Sequence, residues 1–264
     1  MRIGLLAGSG KLPAEFLKSA KGKGYQTVLF AIQGITERDI YNLADKVHEI
    51  KPFKLGKFLS LLKKENLSKI AILGKVEHKE ALSLKNLDFK AVTFMLKLKD
   101  KRAEGVIGGI IREIESVGVE VINPEPFLSH LLPEKGVICG RITSDIEKDI
   151  TFGFKIAKEI ATLDVGQTVV VKSGIVIAVE GIEGTDKCIE RAGNLTGGDF
   201  VVCKAARKNQ DMRIDVPTVG ITTLETIAKY KGKALCIEAK KTFIPEMDKF
   251  KKVAIEKGIT VIAV

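Results

Sequence analysis

The chain has 264 residues, 45% apolar and 29% charged, which excludes a mostly disordered protein and leaves core for one large or two modest domains. Its net charge of +10 points to an anionic partner; with 6% aromatics and no basic-aromatic interleaving, nucleic acid fits poorly and a phosphorylated metabolite fits better. No apolar run is long enough for a membrane span, and the N-terminal run turns at Gly8-Ser9-Gly10 instead of ending in a cleavage site. The four cysteines and three histidines are scattered without metal-ligand spacing, which suits buried free thiols in a reducing cytoplasm and argues against a zinc site.

In the first half, strands are expected at residues 2–7, 27–32, 46–50, 69–73 and 120–122. Helices alternate with them at about 13–22, 35–43, 55–65 and 102–117. This alternation predicts a parallel, helix-covered sheet, a Rossmann-like N-terminal domain over residues 1–132. The second half reads differently. A polar stretch at 143–149 precedes a helix at 152–163, and strands at 168–172 and 175–179 flank Ser173-Gly174, a two-residue hairpin signal. Then follow a helix at 186–192, a strand at 200–204, a helix at 223–230, a strand at 234–238, a helix at 245–257 and a closing strand at 260–264. The hairpin among α/β units predicts a distinct mixed α/β C-terminal domain, residues 133–264, with a boundary near 132–145 about which the domains open and close. Lysines such as those in Lys155-Ile-Ala-Lys-Glu159 read as a solvated helix face.

The most informative stretch runs from Lys204 to Gly220. It concentrates Lys204, Arg207, Lys208, Gln210, Asp211, Arg213 and Asp215 directly after an apolar strand. If residues 210–216 are extended, the period of two puts Asp211, Arg213 and Asp215 on one face. Two acids with a guanidinium between them suit a cation and an anion together, and a phosphate with Mg²⁺ meets both demands. A solvated loop of mutual ion pairs is the bland alternative. Thr218, Gly220 and Thr222, after Pro217, open a helix-like segment suited to an anion. Gly8, Ser9 and Gly10 form a glycine turn between strand and helix, where backbone N–H groups are able to meet phosphate. That turn lacks the third glycine of a dinucleotide fingerprint, and the second strand lacks its acid, so NAD is disfavoured. Gly74 and Lys75 end a strand where open α/β sheets bind ligands, although Lys75 alone reads as a loop lysine. Glu180, Glu183 and Asp186 leave a strand through Gly181 and Gly184, with Thr185 or Asp186 near a helix N-cap. Glu180 and Asp186 with Asp211 and Asp215 make a carboxylate-rich, histidine-free donor set of the kind Mg²⁺ prefers. That inventory favours water attack on phosphorus over a covalent intermediate.

These segments together resemble the Mg²⁺-dependent UDP-2,3-diacylglucosamine pyrophosphatases of lipid A biosynthesis, the type unrelated to metallophosphoesterases. The resemblance covers nearly the whole chain: Gly4-Leu-Leu-Ala-Gly-Ser-Gly-Lys-Leu-Pro13, Leu55-Gly-Lys57, Leu163-Asp-Val-Gly-Gln-Thr-Val-Val170, Glu180-Gly-Ile-Glu-Gly-Thr-Asp186 and Gln210-Asp-Met-Arg-Ile-Asp-Val-Pro-Thr-Val-Gly220. The last two are the specific ones. It implies hydrolysis of UDP-2,3-diacylglucosamine to 2,3-diacylglucosamine 1-phosphate and UMP. It also implies an essential aspartate in residues 210–217, either Asp211 or Asp215. The residues read by themselves fit this, with charge on the phosphoryl oxygens spread over the metal, Lys204 and Arg213. Glu77-His78 departs from the basic residue expected there. The implied partner is a lipid-linked UDP-sugar, and the implied setting is the cytoplasm with transient contact to the inner membrane surface. A homodimer stays open. Two rivals also stay open: hydrolysis of another nucleotide-diphosphate conjugate, and a non-catalytic sugar-nucleotide sensor.

Overall fold

In the computed structural model, residues 1–52, 54–76, 88–97, 103–207 and 211–264 are described. Contacts divide the chain into two compact units: residues 1–129 with Asp211–Val216, and residues 130–210 with 217–264.

The first unit is built on a parallel five-stranded sheet of β1 (Arg2–Ala7), β2 (Gln26–Ile32), β3 (Lys46–Ile50), β4 (Lys69–Leu73) and β5 (Glu120–Val121), in the order β3-β2-β1-β4-β5. Residues 27–31 of β2 are all buried, as a strand covered on both faces requires. Helices α1 (Leu12–Gly22), α2 (Leu55–Glu65), α3 (Phe89–Lys97), α4 (Ala103–Glu115) and the short α5 (Glu125–Leu128) surround it. In α1, Leu12, Pro13, Phe16, Leu17 and Ala20 form the buried stripe, and Pro13 sits in the first turn, where its missing N–H costs nothing. Asn66 ends α2 in the left-handed conformation, its N–H on the Lys63 carbonyl. The segment expected as a helix at 35–43 is a 3₁₀ helix, Arg38–Leu43. Because successive connections leave β1 toward β2 on one side and β4 on the other, the carboxyl ends of β1 and β4 flank a topological switch point.

The second unit holds β6 (Gly136–Cys139), β7 (Thr168–Lys172), β8 (Ile175–Val179), β9 (Val201–Lys204), β10 (Ala234–Ile237) and β11 (Thr260–Ala263). Their order is β6-β11-β10-β9-β7-β8. Strands β9, β10 and β11 are parallel, while β6, β7 and β8 pair antiparallel with their neighbours. Strand alternation sends Val170, Val202, Leu235 and Ile237 to one core, shared with α7 (Thr185–Thr196), α8 (Ile221–Lys229) and α9 (Met247–Glu256). Val169, Val171, Val201, Cys203 and Cys236 face the other core, under α6 (Ser144–Thr162). The hairpin expected at Ser173-Gly174 is present. Both residues have positive φ, 53° and 74°, and the Asp149 carboxylate accepts from their N–H groups at 2.9 and 2.7 Å. One expectation is corrected here. Residues 144–149, read as a polar stretch ahead of a helix starting at 152, are the first turns of α6, because Ile146 and Ile150 are core residues. A charged first turn with Asp145 and Glu147 favours a helix start as much as a linker.

Candidate functional site

At the switch point of the first unit, the predicted glycine turn and the Gly74-Lys75 strand end are zipped together. Gly8 N–H donates to the Leu73 carbonyl at 2.8 Å. Ser9 and Lys75 exchange backbone hydrogen bonds, both at 2.9 Å, and Ser9 Oγ donates to the Lys75 carbonyl at 3.0 Å. The approach needs glycine on both sides. A Cβ on Gly8 would lie 2.5 Å from the Lys75 carbonyl oxygen, and one on Gly74, where φ is +99°, would lie 2.7 Å from the Gly8 carbonyl carbon. Gly10, with φ +104°, points its N–H at the Glu37 carboxylate at 3.4 Å, and Lys11 Nζ meets the same carboxylate at 3.4 Å. The opening of α1 therefore already holds an anionic group of the chain itself, as its unpaired N–H groups favour.

The Asp211–Val216 segment belongs to this unit. Ile214 packs against the core formed by Phe30, Phe58 and Ile114, and Arg213 Nη1 reaches Glu115 at 3.5 Å. The extended, same-face arrangement expected for residues 210–216 is not what forms. Residues 212–214 make a turn, in which Ile214 and Asp215 N–H donate to the Asp211 carbonyl at 2.9 and 3.1 Å. Asp211 Oδ1 accepts from the Arg213 N–H at 3.0 Å, and its carboxylate receives Arg213 Nε at 3.1 Å and Nη2 at 2.8 Å. A short acid able to bond backbone two residues on competes with strand pairing, so the chain turns. The Arg213 guanidinium holds the Asp211 carboxyl below the usual carboxylate range, with burial opposing, and Asp211 in turn raises Arg213.

In the second unit, the end of β9 and the start of α7 meet. Lys204 Nζ donates to Thr185 Oγ1 at 2.9 Å, and Thr185 Oγ1 donates to Glu180 Oε1 at 3.1 Å. The Gln167 N–H donates to Glu180 Oε2 at 3.3 Å, and Thr168 Oγ1 lies 3.3 Å from Thr185 Oγ1. Gly184, with φ +81°, precedes α7 and lets Thr185 enter its first turn. Asp186 Oδ1 accepts from Thr223 Oγ1 at 3.2 Å, tying the first turns of α7 and α8. Gly220 takes the N-cap place of α8, in extended conformation, and Thr222 follows in its first turn. Thr218 pairs in parallel with Phe243 as an isolated bridge. Glu180, Thr185 and Lys204 are thus one hydrogen-bonded group, with Asp186, Gly220 and Thr222 around the α7 and α8 openings. Gln210 lies outside the described residues, as do Glu77 and His78.

Beside this group stands a cluster that the sequence reading missed. Lys158, read as a solvated helix lysine, instead donates to both oxygens of Glu238 at 3.1 and 3.0 Å and to the Ala206 carbonyl at 3.1 Å. The Ala206 N–H donates to Glu238 at 2.9 Å, and Lys241 adds an ion pair at 2.9 Å. Burial pushes the Glu238 carboxyl up, but Lys241, Lys158 and the Ala206 N–H outweigh it and hold it low. Arg207 pairs with Asp164 at 2.8 Å. The available signal was Glu238 itself, an acid closing the apolar run Ala234–Ile237 at the carboxyl edge of a parallel strand.

Among the described residues, no three His, Cys, Asp or Glu side chains gather into a metal-holding group. The donors at hand are hard carboxylate oxygens, and each of Glu180, Asp186 and Asp211 is oriented by a hydrogen bond. That supply suits Mg²⁺, which is bound through one or two carboxylates plus substrate phosphate and keeps several waters. It does not suit zinc.

Two family models divide the sequence between them: the LpxI N-terminal domain matches residues 2–131 and the LpxI C-terminal domain matches residues 134–262. The chain belongs to the LpxI family. A curated relative, the UDP-2,3-diacylglucosamine pyrophosphatase LpxI of Caulobacter vibrioides, is 25% identical over 277 residues, covering 100% of this chain and 97% of the relative. Among solved structures, phosphoribosylglycinamide synthetase from Anaerococcus prevotii aligns at 14% identity and a TM-score of 0.27, over 75% of this chain and 44% of that one. N5-carboxyaminoimidazole synthetase from Staphylococcus aureus aligns at 15% identity and a TM-score of 0.28, over 72% and 43%. The family chain spans less than half of these two structures, and likeness at this level carries no argument about activity.

Proposed function

We propose that this chain hydrolyses the diphosphate of UDP-2,3-diacylglucosamine, releasing UMP and 2,3-diacylglucosamine 1-phosphate by Mg²⁺-assisted attack of water. The observation that carries the reading is the match of both LpxI family models across the two halves of the chain, joined to a full-length relative that bears this activity in its name. The residues support it independently. A diphosphate needs cations for its oxygens, and each unit offers a candidate oriented by its own partner: Lys204 by Thr185 in the second, Arg213 by Asp211 in the first. Held in place beforehand, such groups need no reorganisation as charge builds on the phosphoryl oxygens. Glu180 fixes the Thr185 hydroxyl, so the Lys204 ammonium is aimed by a relay of two hydrogen bonds. The zipped glycines Gly8 and Gly74 keep backbone, not side chains, at the switch point, where nucleotide phosphates bind in open α/β sheets. Candidate carboxylates for Mg²⁺ are Asp211, Asp215, Glu180 and Asp186; when bound, the ion would supply Lewis-acid charge and lower the pKa of water. Asp211 has the further task of shaping its own turn.

This reading puts the enzyme at the cytoplasmic face of the inner membrane, where a lipid-linked substrate lies. No helix among the described residues is long and apolar enough to cross a membrane. The test is incubation of purified protein with UDP-2,3-diacylglucosamine and Mg²⁺. UMP release supports the reading. Turnover of other UDP-sugars alone would favour a different diphosphate substrate, and tight binding without turnover would favour a sensor.

A further inference from the structure

Lys158 and Glu238 grip one peptide group from both edges. The Ala206 N–H donates to Glu238 Oε2 at 2.9 Å, and the Ala206 carbonyl accepts from Lys158 Nζ at 3.1 Å. Lys158 also donates to both Glu238 oxygens, at 3.1 and 3.0 Å. These bonds close a ring of three groups, one from α6, one just past the end of β9 and one just past the end of β10. The gripped peptide is enclosed, with Ala205 and Ala206 both buried. Lys204 is the last residue of β9, in register with Thr168 of β7 and Ile237 of β10. The Ala205 N–H donates to the Gln167 carbonyl at 2.9 Å, and the ring takes hold at the residue after it. A strand gains freedom where its ladder stops. Here charge-assisted hydrogen bonds remove that freedom two residues beyond Lys204.

We propose that Lys158 and Glu238 are positioning residues for Lys204: by holding the Ala206 peptide they fix the strand end from which the Lys204 ammonium reaches a substrate phosphate. The ammonium is then set at both ends, by the ring through the backbone and by Thr185 at its tip. This inference rests on the reading that Lys204 meets the diphosphate. Two observations favour positioning over plain stabilisation. The ring stands at the carboxyl edge of two adjacent parallel strands, where ligands bind in α/β sheets. It is also built from a lysine and a carboxylate largely withdrawn from water, 31% and 12% exposed. Desolvation offsets much of the attraction in such a pair, and apolar side chains of similar size would stabilise the fold as well. What an ion pair adds is direction, since its hydrogen bonds fix where the peptide lies.

The test is a double-mutant cycle on UMP release from UDP-2,3-diacylglucosamine, using Lys158→Met, Lys204→Met and the two combined. Lys158→Met leaves Glu238 its bond from Ala206 and its ion pair with Lys241, so no buried charge is stranded and the variant is expected to fold. Its kcat is expected to fall about 10-fold or more with KM changed less than about 2-fold, as for a misplaced catalytic group. In the Lys204→Met background the same change should alter kcat by less than about 2-fold, because the group it positions is gone. Equal losses in both backgrounds overturn the proposal, and so does a wild-type kcat for Lys158→Met beside an impaired Lys204→Met. A wild-type kcat for Lys204→Met would instead refute the role of Lys204 itself and take the proposal with it. Hydrogen–deuterium exchange of the full chain reads the ring without turnover. Residues 204–207 should exchange faster in Lys158→Met than in the wild type, and unchanged exchange there overturns the proposal. Should Lys158→Met fail to fold, Glu238→Gln, which keeps an acceptor for the Ala206 N–H, takes its place in the cycle and in the exchange measurement.

Discussion

Replacing Glu65 by Gln tests the electrostatics that hold the first unit together. Glu65 ends α2 with its side chain only 3% exposed, and Arg2, Lys46 and His48 reach its carboxylate at 2.6, 2.6 and 2.7 Å. Burial pushes this carboxyl up, yet the hydrogen bonds from Lys46, Arg2 and His48 outweigh it and hold its pKa at about 2, against 4.5 ordinarily. A shift of that size corresponds to about 3 kcal/mol of stability. Arg2 and Lys46 are 37% and 51% exposed. Solvent screening of these partners lowers the expected contribution to about 2 kcal/mol. The sign follows from the direction: the folded pKa lies below the unfolded one. The stabilisation is therefore complete above the unfolded value and disappears as pH falls through about 2. Gln keeps the shape and loses the charge, so E65Q should melt about 5 °C lower at neutral pH. The two proteins should converge in the acid range. Calorimetry of both, from neutral pH to about pH 2, measures the gap. A gap that stays constant across that range would refute the ion-pair account and leave a packing effect in its place.

Gly8→Ala places a methyl 2.5 Å from the Lys75 carbonyl oxygen and 2.9 Å from the Gly74 carbonyl carbon, both backbone atoms that cannot swing aside. It should cost about 1–3 kcal/mol and raise KM for the sugar nucleotide; unchanged melting and kinetics would show that the zipped loops have slack. Asp215→Asn and Asp211→Asn should each lower UMP release by a factor on the order of 10³. The Asp211 variant also loses the Arg213 pair and should give up about 1 kcal/mol; near-normal turnover in both would remove these acids from the chemistry. Exhaustive chelation should abolish activity and added Mg²⁺ restore it, whereas full activity after chelation would exclude the metal.

Much of this protein was legible in its sequence because the deciding interactions are local. Apolar runs bounded by glycine marked the parallel strands, and Ser173-Gly174 marked a hairpin because two successive positive-φ residues suit few other structures. The pairing of Gly8 with Gly74 is half visible in the sequence: each glycine stands at a predicted strand end, but only the adjacency of β1 and β4 explains why neither tolerates a side chain. Sheet order is a property of non-neighbouring segments, and no local pattern encodes it. The same limit hid Lys158 and Glu238, which lie 80 residues apart and meet only because α6 covers the carboxyl end of β10. Residues 211–215 show the opposite failure. Their alternating charges suggested a strand, but a turn formed because Asp211 bonds the backbone and side chain of Arg213, two residues on. What folding alone decided was where this turn belongs: Ile214 alternates with charged residues in the sequence, and it takes meaning only from the core containing Phe30, Phe58 and Ile114 that receives it.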